Sequence, residues 1–354
     1  MKLEGKTFAV LDGLRGIAAL LVLTRHSETF WSVHLVRNYL AVDIFFLLSG
    51  FVIAHAYDTK LAEGSLSAGK FCWIRLIRLY PMYFLSLLLC FVLFFLKGVS
   101  QAGIGGQSAR EATLAFICGI VFVPFKMQGS TALFPLNGPY WSLFCELCVN
   151  FIYVAIRPVL SRRTLLCIVF GSAAFMAYSS SIYGTMDVGG NRGWVWFFGG
   201  LSRAGFGMFL GVLIYQDRIA LTKHLKIRGG VLLPFAFVVL VLLSPSSING
   251  WEWLVDMLII LFIFPVCILS ASFAIPTKGW MKTCLILGSV SYPMYVLHKP
   301  VAQIFYAIVP KLVVTSAPIS GGLLVILLVV LSLFLERSYD IPTRAWLKSK
   351  LLFD

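Results

Sequence analysis

Leu11 to His26 reads L-D-G-L-R-G-I-A-A-L-L-V-L-T-R-H, an apolar stretch that nevertheless carries Asp12, Arg15, Arg25 and His26. On a helix of about 3.6 residues per turn, Asp12, Ala19 and His26 recur every seven residues and Arg15 lies one turn from Asp12. Asp12, Arg15, Val22 and His26 therefore share roughly one stripe. An ionisable residue inside a membrane helix costs about 2.5–3.5 kcal/mol on insertion scales, so such groups face a protein interior or a watery cavity. An imidazole there suits proton transfer, and a guanidinium suits stabilising a developing negative charge. The plainer alternative is an Asp12–Arg15 pair at the helix start with His26 snorkelling at the surface.

Four further stretches carry polar groups of the same kind. Asp43 opens V-D-I-F-F-L-L-S-G-F, with Ser49-Gly50 deeper on the same helix. Gly50 shares a face with Asp43, and a small residue there lets another helix or a threaded ligand come close; Asp43 also suits an N-cap. In R-L-I-R-L-Y-P, Arg75 and Arg78 stand one turn apart and form either a phosphate clamp or an interfacial anchor. N-G-P-Y-W-S-L-F-C-E places Trp141 as an interfacial belt residue and Ser142 and Glu146 on one face. An acid at the depth of Glu146 needs a partner; His26 lies at similar depth, and a carboxylate beside an imidazole fixes its tautomer. Arg203 is another intramembrane charge, and S-Y-P-M-Y-V-L-H-K-P sets Tyr292 and His298 among aromatics, His298 being structural or catalytic.

The elements that must position these groups follow from composition. The chain has 354 residues, 59% hydrophobic and 12% charged, with mean hydropathy +0.90. Soluble domains carry about 25% charged residues, so an all-α integral membrane protein is expected, as one membrane-embedded domain over 1–354. The first apolar run, from Phe8 to Thr24, lacks a small-residue cleavage site and reads as a span. Of the eight cysteines, seven lie in apolar runs, and Cys145-x-x-Cys148 has no nearby His pair, so no metal site is expected.

Apolar runs of spanning length lie at about 8–25, 40–57, 79–96, 140–157, 164–182, 195–215, 229–244, 253–274, 284–309 and 319–335. The run 113–125 is short and ends at Pro124. If it does not cross, the segments with Lys60/Lys70/Arg75/Arg78, Arg157/Arg162/Arg163, Arg218/Lys223/Lys226/Arg228 and Lys278/Lys282 share the cytoplasmic side. The tail with Arg337, Arg344, Lys348 and Lys350 joins them, as the positive-inside rule requires. The expectation is ten transmembrane helices, one re-entrant or interfacial helix, and both termini cytoplasmic in a multi-pass protein of the cell (inner) membrane. The net charge of +14 then reports topology rather than nucleic acid.

In this order, D-G-L-R-G-I-A-A with a His eleven residues after its Arg, V-D-I-F-F-L-L-S-G-F, R-x-x-R-L-Y-P, W-S-L-x-x-E and S-Y-P-M-Y-V-L-H resemble the acyltransferase-3 family of membrane acyltransferases. That family includes O-antigen, exopolysaccharide and nodulation-factor acetylases. The resemblance implies that Arg15 and His26 match the family's essential Arg and His, Arg75 and Arg78 its acyl-CoA-associated arginines, and Glu146 its acid after W-S. The tail departs: the family often reads Glu-x-Pro after the last span, whereas Glu336-Arg337-Ser338 is followed by Pro only at 342. The chain resembles the stand-alone form, without a fused esterase-like domain.

Taken together, these readings predict transfer of an acyl group, acetyl above all, from cytoplasmic acyl-CoA to a hydroxyl of an extracytoplasmic or lipid-linked saccharide. His26 is the expected base, oriented by Glu146 or Asp43, or else carries the acyl group covalently. Arg75, Arg78, Arg15, Ser49, Gly50 and Arg203 are expected along the donor. Asp12, Trp141, Ser142, Tyr292 and His298 are candidates for the acceptor side. Acyl-CoA is expected as a substrate rather than a resident cofactor, with membrane lipid around the protein. The competing class is a transporter or flippase that uses the same charges as an ion or headgroup path.

Overall fold

A computed structural model describes residues 8–32, 37–100, 106–190, 194–224, 232–244 and 250–352. Lys226 and Arg228, counted above among the cytoplasmic cations, lie outside these residues. The described chain is helical: α1 (Ala9–His26), α2 (Ala41–Ala62), α3 (Ala68–Ser100), α4 (Gly106–Ile120), α5 (Tyr140–Ile156), α6 (Arg162–Tyr183), α7 (Trp194–His224), α8 (Leu232–Leu243), α9 (Glu252–Leu258), α10 (Phe264–Phe273), α11 (Lys278–Ile308), α12 (Pro310–Thr315), α13 (Ile319–Leu335) and α14 (Ile341–Leu351). A π-helical turn, Ile259–Ile263, joins α9 to α10, and another, Glu336–Asp340, joins α13 to α14. Among the described residues, seven helices are long and apolar enough to cross a membrane. The expected ten add α1 and α11, which carry the polar motifs, and α8, which is only twelve residues long.

The two most extensive helix pairs are α1 with α11 and α2 with α7, and glycine explains both. A Cβ on Gly16 would lie 2.5 Å from Leu287 Cβ, and one on Gly288 would lie 2.6 Å from Asp12 Cβ. The second glycine of D-G-L-R-G thus lets α1 meet the α11 backbone, while the first, Gly13, makes room for the Phe235 ring and the Cys284 side chain. A Cβ on Gly50 would lie 1.9 Å from the Met208 carbonyl oxygen, so Gly50 is filled by α7 and admits no threaded ligand.

Hydrogen bonds at the helix ends sort the bundle into two faces. At one, Arg157 binds Asp58 (Nε–Oδ1 2.6 Å), Tyr153 donates to the same carboxylate, and Arg162 binds Asp217 (2.6 Å). Arg218 does not sit in a connecting segment: it stays within α7, largely buried, and donates to the Ser272 carbonyl (3.0 Å). These bonds join the C-terminal ends of α2, α5, α7 and α10. At the other face, Arg25 binds Asp187 (2.9 Å) and Arg37 binds Asp256 (2.7 Å), which also accepts from Tyr39.

The re-entrant candidate is helical over Gly106–Ile120 rather than 113–125. It runs antiparallel to α3, Phe116 stacking on Phe91 and Gly119 meeting Leu87. Its last carbonyls, Gly119 and Ile120, accept from Tyr83 (2.7 Å) and Tyr80 (3.2 Å) in the middle of α3. Fifteen residues span about 22 Å, so α4 stops short of the far face and irregular chain carries on to α5.

Candidate active site

Two cavities lie along α1, one toward each end. The inner cavity, about 90 Å³, is lined by Arg15, Ser49, Arg75, Arg78, Glu146 and Tyr292 among others. Glu146 Oε1 accepts from Ser49 Oγ (2.6 Å) and from Arg75 Nη2 (2.8 Å). Arg75 is buried, and its Nε has no partner among the described residues; Arg78, one turn on, is exposed. Arg15 Nη1 donates to Asp12 Oδ1 (3.2 Å), so the pair expected at the helix start forms. Three guanidiniums against one carboxylate leave this cavity net positive, the balance that suits phosphate.

The outer cavity, about 430 Å³, is lined by Arg25, His26, Glu28, Asn38, Tyr39, Trp141 and Asp187. His26 ends α1 and is exposed to it. Its ring stacks on that of His298, centroids 5.1 Å apart and planes 26° apart. His298 is buried, with Nδ1 2.6 Å from the Tyr295 carbonyl oxygen. A carbonyl can only accept, so Nδ1 carries a proton, and Nε2 has no hydrogen-bond partner among the described residues.

α11 is cut to hold this imidazole. Pro300 cannot donate to the carbonyl four residues back, that of Val296. Ser86 Oγ (2.5 Å) and Asn137 Nδ2 (3.2 Å) donate to it instead. The proline two residues after His298 thereby ties α11 to α3 and to the start of α5.

Several expected placements change. Glu146 does not orient His26: its oxygen is held by Ser49 and Arg75 in the inner cavity. Asp43 does not either. It is buried and binds Arg203 through both oxygens (Nη2–Oδ2 2.6 Å, Nε–Oδ1 3.0 Å), and Arg203 also donates to the Val188 carbonyl (2.9 Å). Neither Asp43 nor Arg203 lines either cavity. Ser142 and Tyr292 line the inner cavity, not the acceptor side, Tyr292 donating to the Leu79 carbonyl (2.5 Å). Asp12 lies at the inner end of α1 beside Arg15. Trp141 is buried rather than in an interfacial belt, with its indole against Gly189, Gly190 and Gly200 and under Arg203, though one edge reaches the outer cavity. His298 does sit beside His26.

Sequence reasoning missed Tyr295, which lines both cavities, and the Arg25–Asp187 pair. Tyr295 was legible in principle, three residues before His298 and so on its face of α11.

The acyltransferase domain of the acyltransferase-3 family matches residues 8–337 of this chain. The chain belongs to that family. It is an O-acyltransferase and a multi-pass membrane protein. Protein 2 in the picA locus of Rhizobium radiobacter is 43% identical over 154 residues, which cover 41% of this chain and 80% of that protein. Acyltransferase MdmB of Streptomyces mycarofaciens is 28% identical over 172 residues, 44% of this chain and 42% of that protein. No solved structure matches.

Proposed function

We propose that the protein transfers an acyl group, acetyl above all, from acyl-CoA on the cytoplasmic side to a hydroxyl of an extracytoplasmic or lipid-linked saccharide, in the cell's inner membrane. The observation that carries this is the pair of cavities at opposite ends of α1, guanidiniums in one and an imidazole in the other. Arg75 and Arg78 bind the coenzyme's phosphates, with Glu146 and Ser49 fixing Arg75. The flexible arm brings the thioester up past Arg15. The saccharide enters the outer cavity, where Arg25, Asp187 and Glu28 offer charged hydrogen-bond partners to its hydroxyls.

His26 takes the acceptor's proton as its oxygen attacks, a contribution of about 10²–10⁴-fold. His298, proton on Nδ1, stacks against it and fixes its ring. The ten-span arrangement with both termini cytoplasmic belongs to this reading, because it puts the cations of the inner end on the cytoplasmic side.

The transporter reading receives no such support. The buried charges are closed into pairs, Asp43 with Arg203 and Arg37 with Asp256, rather than strung along one route. The test is purified protein in liposomes given isotopically labelled acetyl-CoA and a surface-glycan acceptor without an ion gradient. Label in the glycan supports acyl transfer; ion-dependent movement of acceptor without label incorporation overturns it. Mass spectrometry of surface glycans with and without the gene identifies the acceptor.

A further inference from the structure

The two cavities meet at one wall. Among the described residues, only Val42 and Tyr295 line both. Tyr295 is almost fully buried, and its ring is fixed from three directions. Phe45 packs edge-on at 5.4 Å between centroids, the His298 ring lies at 6.0 Å, and the hydroxyl meets Ser142 Oγ at 2.5 Å. Both hydroxyls also reach one acceptor, the Pro139 carbonyl, Ser142 at 2.9 Å and Tyr295 at 3.2 Å. Pro139 itself lines the outer cavity and Ser142 the inner one, so this latch ties the two sides together.

The difference in size gives the wall its meaning. The outer cavity, about 430 Å³ against about 90 Å³ for the inner one, has room for several times as many water molecules. The outer cavity is polar and opens beside a base. Any thioester exposed there meets water far more often than a saccharide.

We propose that Tyr295, backed by Val42, is the partition that keeps the water of the outer cavity off the acyl donor in the inner one. The ring is a selectivity element for transfer over hydrolysis. The proposal rests on the donor and acceptor assignment above. In productive transfer the acceptor oxygen bonds to the acyl carbonyl carbon and the carbon–sulfur bond breaks. His26 receives the hydroxyl proton and the departing thiolate takes up a proton, giving ester and thiol. Water in place of the saccharide gives carboxylic acid and the same thiol by the same steps. The thioester has to pass the Tyr295–Val42 wall to meet the acceptor beside His26, so a wall that yields only once the acceptor fills the outer cavity suppresses the second course.

The barrier is tested first without chemistry. In a cysteine-free background carrying Ser49→Cys, a membrane-impermeant charged thiol reagent is applied from the His26 face of sealed vesicles. With Tyr295 present, position 49 stays unlabelled from that face; Tyr295→Ala raises labelling by about tenfold or more, and Tyr295→Phe leaves it low, because the ring is the wall. Val42→Ala, which removes less bulk, raises labelling to a lesser degree and serves if Tyr295→Ala does not fold. Unchanged labelling in folded Tyr295→Ala or Val42→Ala protein overturns the proposal, as does equal labelling in Tyr295→Phe. The second measurement is acyl-CoA cleavage without acceptor. Tyr295→Ala is expected to raise it about tenfold relative to transfer, whereas loss of transfer with no gain in hydrolysis overturns the selectivity role. The labelling result stands even if acyl-CoA is not the donor, so failure of the functional reading is distinguishable from failure of the partition.

Discussion

In the proposed reaction His26 and Arg75 carry opposite halves, and their variants should fail differently. His26→Ala is expected to abolish transfer while acyl-CoA still binds, since Arg75 and Arg78 line the other cavity together with Arg15, which lies about 16 Å along α1 from His26. Binding measured by calorimetry beside a transfer assay checks this; retained transfer by the folded variant refutes the base assignment. Arg75→Gln removes a charge-assisted bond of about 1.5–3 kcal/mol, so the donor KM should rise by roughly ten- to a hundredfold with the acceptor KM little changed. Equal effects on both would mean that Arg75 only anchors the helix. The sequence placed both residues at these ends because each belongs to a short, ordered motif. It misassigned Glu146 because depth along a helix says nothing about azimuth: α5 turns that carboxylate toward α2 and α3, where Ser49 and Arg75 take it.

Elements rather than side chains explain the glycines and the buried Asp43–Arg203 pair. Gly50→Ala places a methyl 1.9 Å from the Met208 carbonyl, a backbone atom that cannot step aside, so α2 and α7 must separate. Such overpacking costs about 1–3 kcal/mol, and the thermal midpoint in detergent should fall without a change in acyl-CoA affinity beyond that loss. Asp43→Asn should destabilise more, by about 3–5 kcal/mol, because Arg203 is 1% exposed and would be left as an unpaired buried charge. The double variant Asp43→Leu, Arg203→Met should recover part of that loss. A double variant no more stable than Asp43→Asn would show that Arg203's bonds to the Val188 and Tyr39 carbonyls hold the helices instead. Hydropathy predicted these helices well, since the lipid-facing period is strong. It could not tell a charge that closes on another helix from one that faces a cavity, because both read as a polar residue in an apolar run.

Across the whole molecule, the arrangement predicts sidedness. The helix ends joined by Asp58–Arg157 and Arg162–Asp217 lie on the side where α3 begins with Arg75 and Arg78, while Arg25 and Asp187 line the cavity of His26 at the opposite end. The cation bias legible in the sequence agrees with this division, since Lys60, Lys70, Arg157, Arg162 and Arg163 all flank the first end. The seven strongly apolar helices were legible as well, and the runs 8–25 and 284–309 were read as spans alongside them, although the polar residues of α1 and α11 keep both out of those seven. Acyl-CoA is multiply charged and does not cross a bilayer, so in sealed vesicles it can reach only one of the two cavities. Vesicles exposing the Arg75 end should transfer label from added acetyl-CoA to an acceptor trapped inside, whereas vesicles of the opposite orientation should be inactive until permeabilised. The Arg75→Gln variant should weaken transfer in the first preparation and leave the second silent. Activity of equal rate in both orientations would mean that the donor enters beside His26, and the division of labour along α1 would have to be reversed.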